Sequence, residues 1–112
     1  MYAVIFEVEP TGDGRGTYLE IAGELRNDLE KADGFISIER FQSLSNERKI
    51  LSLSFWRDEE SLIAWREQSD HIAAQRLGRE QLFEDYRIRV AEIVRDYGMT
   101  ERSEAPRRGL FE

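Results

Sequence analysis

Apolar residues recur along this chain with two periods, and the switches between them divide it into six elements. At Tyr2 to Glu9 (YAVIFEVE) the period is two, which puts Tyr2, Val4, Phe6 and Val8 on one face of a strand and Ala3, Ile5 and Glu7 on the other. Pro10 to Gly14 (PTGDG) carries turn chemistry and ends that strand, with Asp13 or Thr17 available to cap the next element. From about Gly16 to Lys31 the period lengthens to that of a helix: Tyr18, Ile21, Ala22, Leu25 and Leu29 form one stripe. Asp33-Gly34 stops it, because glycine accepts the left-handed conformation that closes a helix.

Alternation returns at Phe35 to Leu44, where Phe35, Ser37, Glu39 and Phe41 alternate with Ile36, Ile38 and Arg40. Ser45 to Arg48 is a short hairpin loop into a third strand, Lys49 to Trp56. That strand has one strongly apolar face, Leu51, Leu53 and Phe55, and a second face of Ile50, Ser52, Ser54 and Trp56. A second helix opens near Asp58, a good N-cap, with Glu59 and Glu60 where the helix dipole favours negative charge. Leu62, Trp65 and Ile72 come next at helical spacing, with a break expected around Ser69-Asp70 and a further segment from His71 to about Leu77. Phe83 to Tyr97 predicts a long last strand, and the slip of phase at Val90-Ala91 predicts a bulge near Ala91.

The order β-α-β-β-α-β is the ferredoxin-like split βαβ pattern, an α+β fold with a four-stranded antiparallel sheet. Right-handed crossovers put both helices on one side of it. The other side of the first three strands is also substantially apolar, which water tolerates poorly over a broad area. A homodimer packed sheet against sheet about a twofold axis is therefore expected. Residues 1–98 form the domain, and the mostly polar tail 99–112, apart from Leu110-Phe111, is expected to be poorly ordered.

Composition narrows the chemistry. The 112 residues suit one domain. There is no cysteine, so disulfides, thiolate metal sites and thiol nucleophiles are excluded, and a single histidine excludes a His-rich metal site. A net charge of −7 argues against nucleic acid or an anionic membrane as main partner. Without a signal segment or a long apolar run, the chain reads as cytoplasmic.

Three features carry a resemblance: SFW-x8-W from Ser54 to Trp65, His71-x3-Gln75, and a terminal strand ending in Tyr97-Gly98. Together they resemble the antibiotic biosynthesis monooxygenase family over residues 1–98. The resemblance implies a dimeric α+β barrel, and it covers cofactor-independent oxygenases of phenols, quinol monooxygenases and haem-degrading enzymes. The haem-degrading branch uses an Asn, a Trp and a His. Trp65 meets the tryptophan, but Ile5, Phe6 and Glu7 offer no asparagine, and the histidine position falls on Gln75 or Arg76, with His71 too early. The chain therefore departs from the haem-degrading pattern.

Cofactor-free oxygenation of a phenol or hydroquinone has a simple requirement. The substrate loses a proton, and the electron-rich anion reduces dioxygen directly. The protein must supply a dry aromatic pocket, a base and something to hold the anion. His71 is the candidate catalytic base, since neutral imidazole titrates near working pH; the bland alternative is a surface or capping histidine after Asp70. Trp65 is a pocket wall or plain core, Trp56 a strand-end core residue or pocket wall, and Tyr86 a ligand hydroxyl or a half-buried strand tyrosine. Arg40 holds an oxyanion or makes an ion pair at a sheet edge, and Gln75 lies one turn from His71 on a shared face. The leading expectation is a monooxygenase that needs no cofactor or metal and oxidises a small aromatic hydroquinone or polyphenol with dioxygen. The alternatives are a non-catalytic ligand-binding dimer of the same fold and a structural protein using only its dimer surface.

Overall fold

The computed structural model of the chain describes residues 1–77 and 82–106, with 72–77 described by backbone alone. Its elements are β1 (Tyr2–Pro10), α1 (Gly14–Glu30), β2 (Phe35–Gln42), β3 (Ile50–Trp56), α2 (Glu59–Leu77) and β4 (Phe83–Glu92). The strands form one antiparallel sheet in the order β2-β3-β1-β4, the expected ferredoxin-like α+β arrangement. None of the described helices is long and apolar enough to cross a membrane.

Residues paired across an antiparallel ladder share a face. Val4 pairs with Ser54 and Phe6 with Ser52; Ser54 and Ser52 in turn pair with Ile38 and Arg40. On the other side of β1, Phe6 pairs with Ile88 and Val8 with Tyr86. These residues form the face beneath the helices. The opposite face carries Ala3, Ile5, Leu51, Leu53, Phe55 and Phe41, as the alternation predicts.

The core gathers at the two ends of the helix side rather than in its middle. At one end Val4, Leu29, Trp56 and Leu62 pack together with Phe35, Ile38 and Trp65 around them. At the other, Val8, Tyr18 and Ile50 pack with Phe6, Leu82 and Phe83. Trp56 and Val8 are the largest side chains buried to within 2 % of full enclosure.

Each helix is anchored where it meets the sheet. Asp58 caps α2 as expected: its Oδ1 accepts from the Ser61 amide at 2.8 Å and the Ser61 hydroxyl at 2.7 Å. Arg57 clasps this junction to the α1–β2 turn, donating to Asp33 Oδ2 at 2.8 Å and to Asp58 Oδ2 at 2.9 Å. The Arg57 amide also donates to the Gly34 carbonyl at 2.8 Å. Gly34 has φ 81°, and a Cβ there would collide with the Ser61 side chain, so both conformation and space require glycine. At α1 neither suggested cap acts: Asp13 occupies the N-cap position without a side-chain cap bond, and Thr17 lies inside the helix. The entry is held by backbone, with the Thr11 carbonyl accepting from the Gly14 amide and the Thr11 amide donating to the Leu82 carbonyl.

Three boundary expectations are corrected. Helix α2 does not break at Ser69-Asp70 but runs through Leu77. The Ser69 hydroxyl donates to the Arg66 carbonyl at 3.2 Å, a back-bond within the turn that satisfies the serine without ending the helix. Strand β4 stops at Glu92, not Tyr97. No bulge forms near Ala91: the register with β1 is unbroken from Glu92 to Asp85, and the shift lies between Glu9 and Pro10. Proline lacks the amide that a regular ladder needs, which places the irregularity there. The Ile93 amide donates to the Met1 carbonyl at 2.9 Å, and the ladder ends. Beyond it, residues 93–106 form loops and turns, including a Gly98 amide bond to the Glu101 carbonyl at 2.7 Å. Leu110 and Phe111 lie outside the described residues.

Candidate functional site

Between the two core clusters lies a half-open cavity of about 460 Å³, bounded by the sheet, α1 and α2. Its origin is visible in the side chains. The middle of β3 presents Ser52 and Ser54, both buried, where a packed α/β layer would carry large apolar residues. Ala22 of α1, another small residue, also lines the space. Short side chains leave the middle of the layer unfilled, while Trp56 at one end and Val8 with Ile50 at the other fill it.

Four aromatic rings build one wall. Phe83 meets Tyr18 edge-on at 5.5 Å and Phe6 at 5.9 Å, and Tyr86 stands 5.9 Å from Phe6. Edge-to-face contacts of this kind fix ring orientation as well as bury area. Trp65 of α2 lines the opposite part, close to the Trp56 cluster. The indole N–H of Trp56 donates to the Ser54 hydroxyl at 3.0 Å, so both polar groups are satisfied inside the protein.

The charges in the cavity are of unusual sign for so acidic a chain. Arg40 and Arg66 both line it, each half-buried, and Asp70 is its only carboxylate among the described residues. Arg40 is held in place: its Nε donates to the Tyr18 hydroxyl at 3.4 Å, and its guanidinium lies 5.9 Å from the Tyr18 ring centre. Among the described residues neither arginine has a carboxylate within ion-pairing distance, although other arginines of the chain do form ion pairs.

Of the residues singled out from sequence, Trp56, Trp65, Arg40 and Tyr86 come together around this cavity. Arg40 makes no edge ion pair among the described residues, and Tyr86 is 59 % exposed, at the rim. His71 does not join them; it is exposed and outside the lining. The side chain of Gln75 lies outside the described residues. Sequence reasoning passed over Tyr18, Arg66, Asp70 and the two serines. Ser52 and Ser54 were the available signal, since small polar residues on a covered strand face leave space.

This architecture, an antiparallel ferredoxin-like layer roofed by two helices over an aromatic cavity, matches a family. The sequence profile of antibiotic biosynthesis monooxygenases fits residues 1–77, and the chain belongs to that family. Among its relatives is the protein named jasmonate monooxygenase ABM of Pyricularia oryzae, 50 % identical over 94 residues. Those residues make up 84 % of this chain but 44 % of that protein, so the chain spans less than half of its length. Two solved structures from Mycobacterium tuberculosis share the fold. Rv0793 aligns with a TM-score of 0.71 at 16 % identity, over 87 % of this chain and 98 % of its own. The haem-degrader MhuD, with two haems bound in its active site, aligns at 0.67 and 15 % identity, over 88 % and 100 %.

The described cavity residues offer haem few axial ligands. Iron in haem takes an axial His, Cys, Met or Tyr. No His, Cys or Met lines the cavity among the described residues; of its two tyrosines, the Tyr18 hydroxyl accepts from Arg40 and Tyr86 stands at the rim. The chain's single histidine, His71, lies outside the lining.

Proposed function

We propose that the chain is a monooxygenase that oxidises a small, largely apolar substrate with dioxygen inside this cavity, with no cofactor of its own. The observation that carries the reading is the aromatic-walled cavity in a chain of this family. A hydroquinone or polyphenol is the substrate class that asks least of the protein. Its anion is electron-rich enough to reduce dioxygen, and a guanidinium lining the cavity favours that anion over the neutral phenol. The electrons balance without another reductant. A hydroquinone and dioxygen give a hydroxyquinone and water: one oxygen atom forms a new carbon–oxygen bond on the ring, and the other leaves as water. The aromatic walls hold the ring and limit water, which would otherwise screen the arginines.

The proton leaves toward the polar end of the cavity, where Asp70 is the carboxylate, rather than to His71. An oxygen electrode tests the whole reading: a panel of substituted hydroquinones should give uptake above the uncatalysed rate. Failure of every compound removes the oxygenase assignment. The remaining reading is then a small-molecule-binding protein without turnover, which the position of His71 outside the lining favours.

The same proposal includes a homodimer. Ile5, Leu51, Leu53 and Phe55 make a continuous apolar strip on the face that no helix covers, and Phe41 beside it is 42 % exposed. A second copy laid across this face would bury it and close the structure into a barrel. Sedimentation at micromolar concentration should give twice the chain mass; a single-chain particle removes the dimer.

A further inference from the structure

We infer that the substrate carries a carboxylate in addition to its oxidisable part, and that Arg40 is the residue that seats it. This deepens the proposed function and rests on its assignment of the cavity as the substrate site.

A guanidinium has five N–H donors. Arg40 uses Nε on the Tyr18 hydroxyl, and no bond from its two terminal amino groups to the described residues is formed. Arg40 is half-buried, and these terminal amino groups are not sealed from solvent, so they stand open to an incoming anion. Elsewhere the chain spends acids freely on arginines: Arg57, although largely exposed, has both Asp33 and Asp58. In the cavity it spends none. Glu39, next to Arg40 in sequence, points to the opposite face of the sheet, where its ladder partner is Leu53. Asp70 is exposed and pairs with neither Arg40 nor Arg66 among the described residues. Among the described residues the lining therefore carries two positive groups against one negative in a chain of net charge −7.

The geometry suits a carboxylate better than a phenolate. The Tyr18 contact occupies Nε, and the two terminal amino groups form the fork that a planar two-oxygen anion accepts in parallel. A phenolate offers one oxygen and leaves half the fork unused. Ser52, the ladder partner of Arg40, adds a hydroxyl on the same floor. With the carboxylate at Arg40, the body of the ligand lies along the aromatic rings toward Trp65, and Arg66 on α2 supplies the second positive group.

Matched acids and esters test this without turnover. Binding of 2,5-dihydroxybenzoate and its methyl ester, and of the non-phenolic 4-phenylbutanoate and its methyl ester, is measured by calorimetry without oxygen at neutral pH. Each acid should bind at least about tenfold more tightly than its ester, the size expected for losing a bidentate charge-assisted pair. Arg40→Gln should erase that ratio by weakening the acid alone, with Arg40→Lys recovering part of it. The acid-to-ester ratio of the unaltered protein needs no variant, so a folding defect in Arg40→Gln leaves the test intact. Equal binding of acid and ester, no binding of either acid at millimolar concentration, or an Arg40→Gln variant that keeps the ratio would each overturn the inference. Failure of the oxygenase reading shows differently: the acids bind selectively, but no hydroquinone takes up oxygen in air.

Discussion

Arg57 and Arg40 set two regions of this molecule against each other. Arg57 sits at the junction of β3 and α2 with more than half its side chain in solvent, yet it is bound by two carboxylates. Arg40 sits on the floor of a cavity, further from water, and has a phenol for company and no acid among the described residues. Stability alone would distribute counter-ions the other way, because a cation removed from water gains most from a partner. The clasp is complete within the chain; the cavity arginine has no acid among the described residues. The same contrast holds for side-chain size, with bulky residues at the two ends of the helix-facing layer and two serines in its middle.

The sharpest break of this comparison is to fill the cavity. Ser52→Leu places an apolar side chain on its floor and should abolish ligand binding and oxygen uptake while leaving the melting temperature level or higher. Calorimetry and a thermal melt read the two effects on one sample. A variant that still turns over at the original rate would put the reaction elsewhere.

Next in size is the exchange of roles between the two arginines. Arg40→Gln should cut kcat/KM for an acidic hydroquinone by about tenfold, the loss of one good charge-assisted fork, with little change in melting temperature. Arg57→Gln should do the reverse, lowering the melting temperature and leaving kcat/KM for the same substrate within about twofold. If the two variants behave alike, the division between clasp and cavity is wrong.

The clasp also has a pH signature. Hydrogen bonds from Ser61, followed by the Arg57 guanidinium, lower the Asp58 carboxyl to about 2 from an ordinary 3.8. The Arg57 hydrogen bond likewise lowers Asp33. A depressed carboxyl stabilises the fold fully above its unfolded value and loses that contribution as pH falls toward its folded value. Acid unfolding followed by circular dichroism should therefore lose the Asp58 share between about pH 4 and pH 2. Asp58→Asn should flatten that part of the curve and leave neutral-pH ligand binding unchanged. The smallest effect belongs to His71→Ala: it should alter oxygen uptake by less than about twofold, since an exposed imidazole outside the lining touches no substrate. A large loss would restore His71 as the base.

Much of this was legible in the chain. Strand alternation at Tyr2 to Glu9 and at Lys49 to Trp56 put the right residues on each face, because a period of two leaves no freedom once one face is covered. The N-cap at Asp58 and the stop at Gly34 rest on local chemistry that the tertiary structure leaves in place. The expected break in α2 misjudged Ser69, whose hydroxyl bonds inside its own turn. The expected bulge put at Ala91 an irregularity that belongs opposite Pro10, on a strand far away in sequence.

The site was half visible for a related reason. Trp56, Trp65, Arg40 and Tyr86 were reachable from their faces. Tyr18 and Arg66 were not, because a helical stripe says which side meets the sheet but not how high above it the helix stands. The place of His71 outside the described lining follows from helix geometry. Six residues beyond Trp65, it is turned about 120° round the helix from the face that looks into the cavity.

The central claim is that this cavity carries out a monooxygenation, and isotopically labelled dioxygen tests it most directly. A hydroquinone that gives uptake is turned over under the labelled gas, and product and water are analysed by mass spectrometry, with Ser52→Leu alongside. One labelled atom in the quinone product and one in water, both lost in the variant, is the predicted result. Label absent from the product, or incorporated equally by the variant, would contradict it.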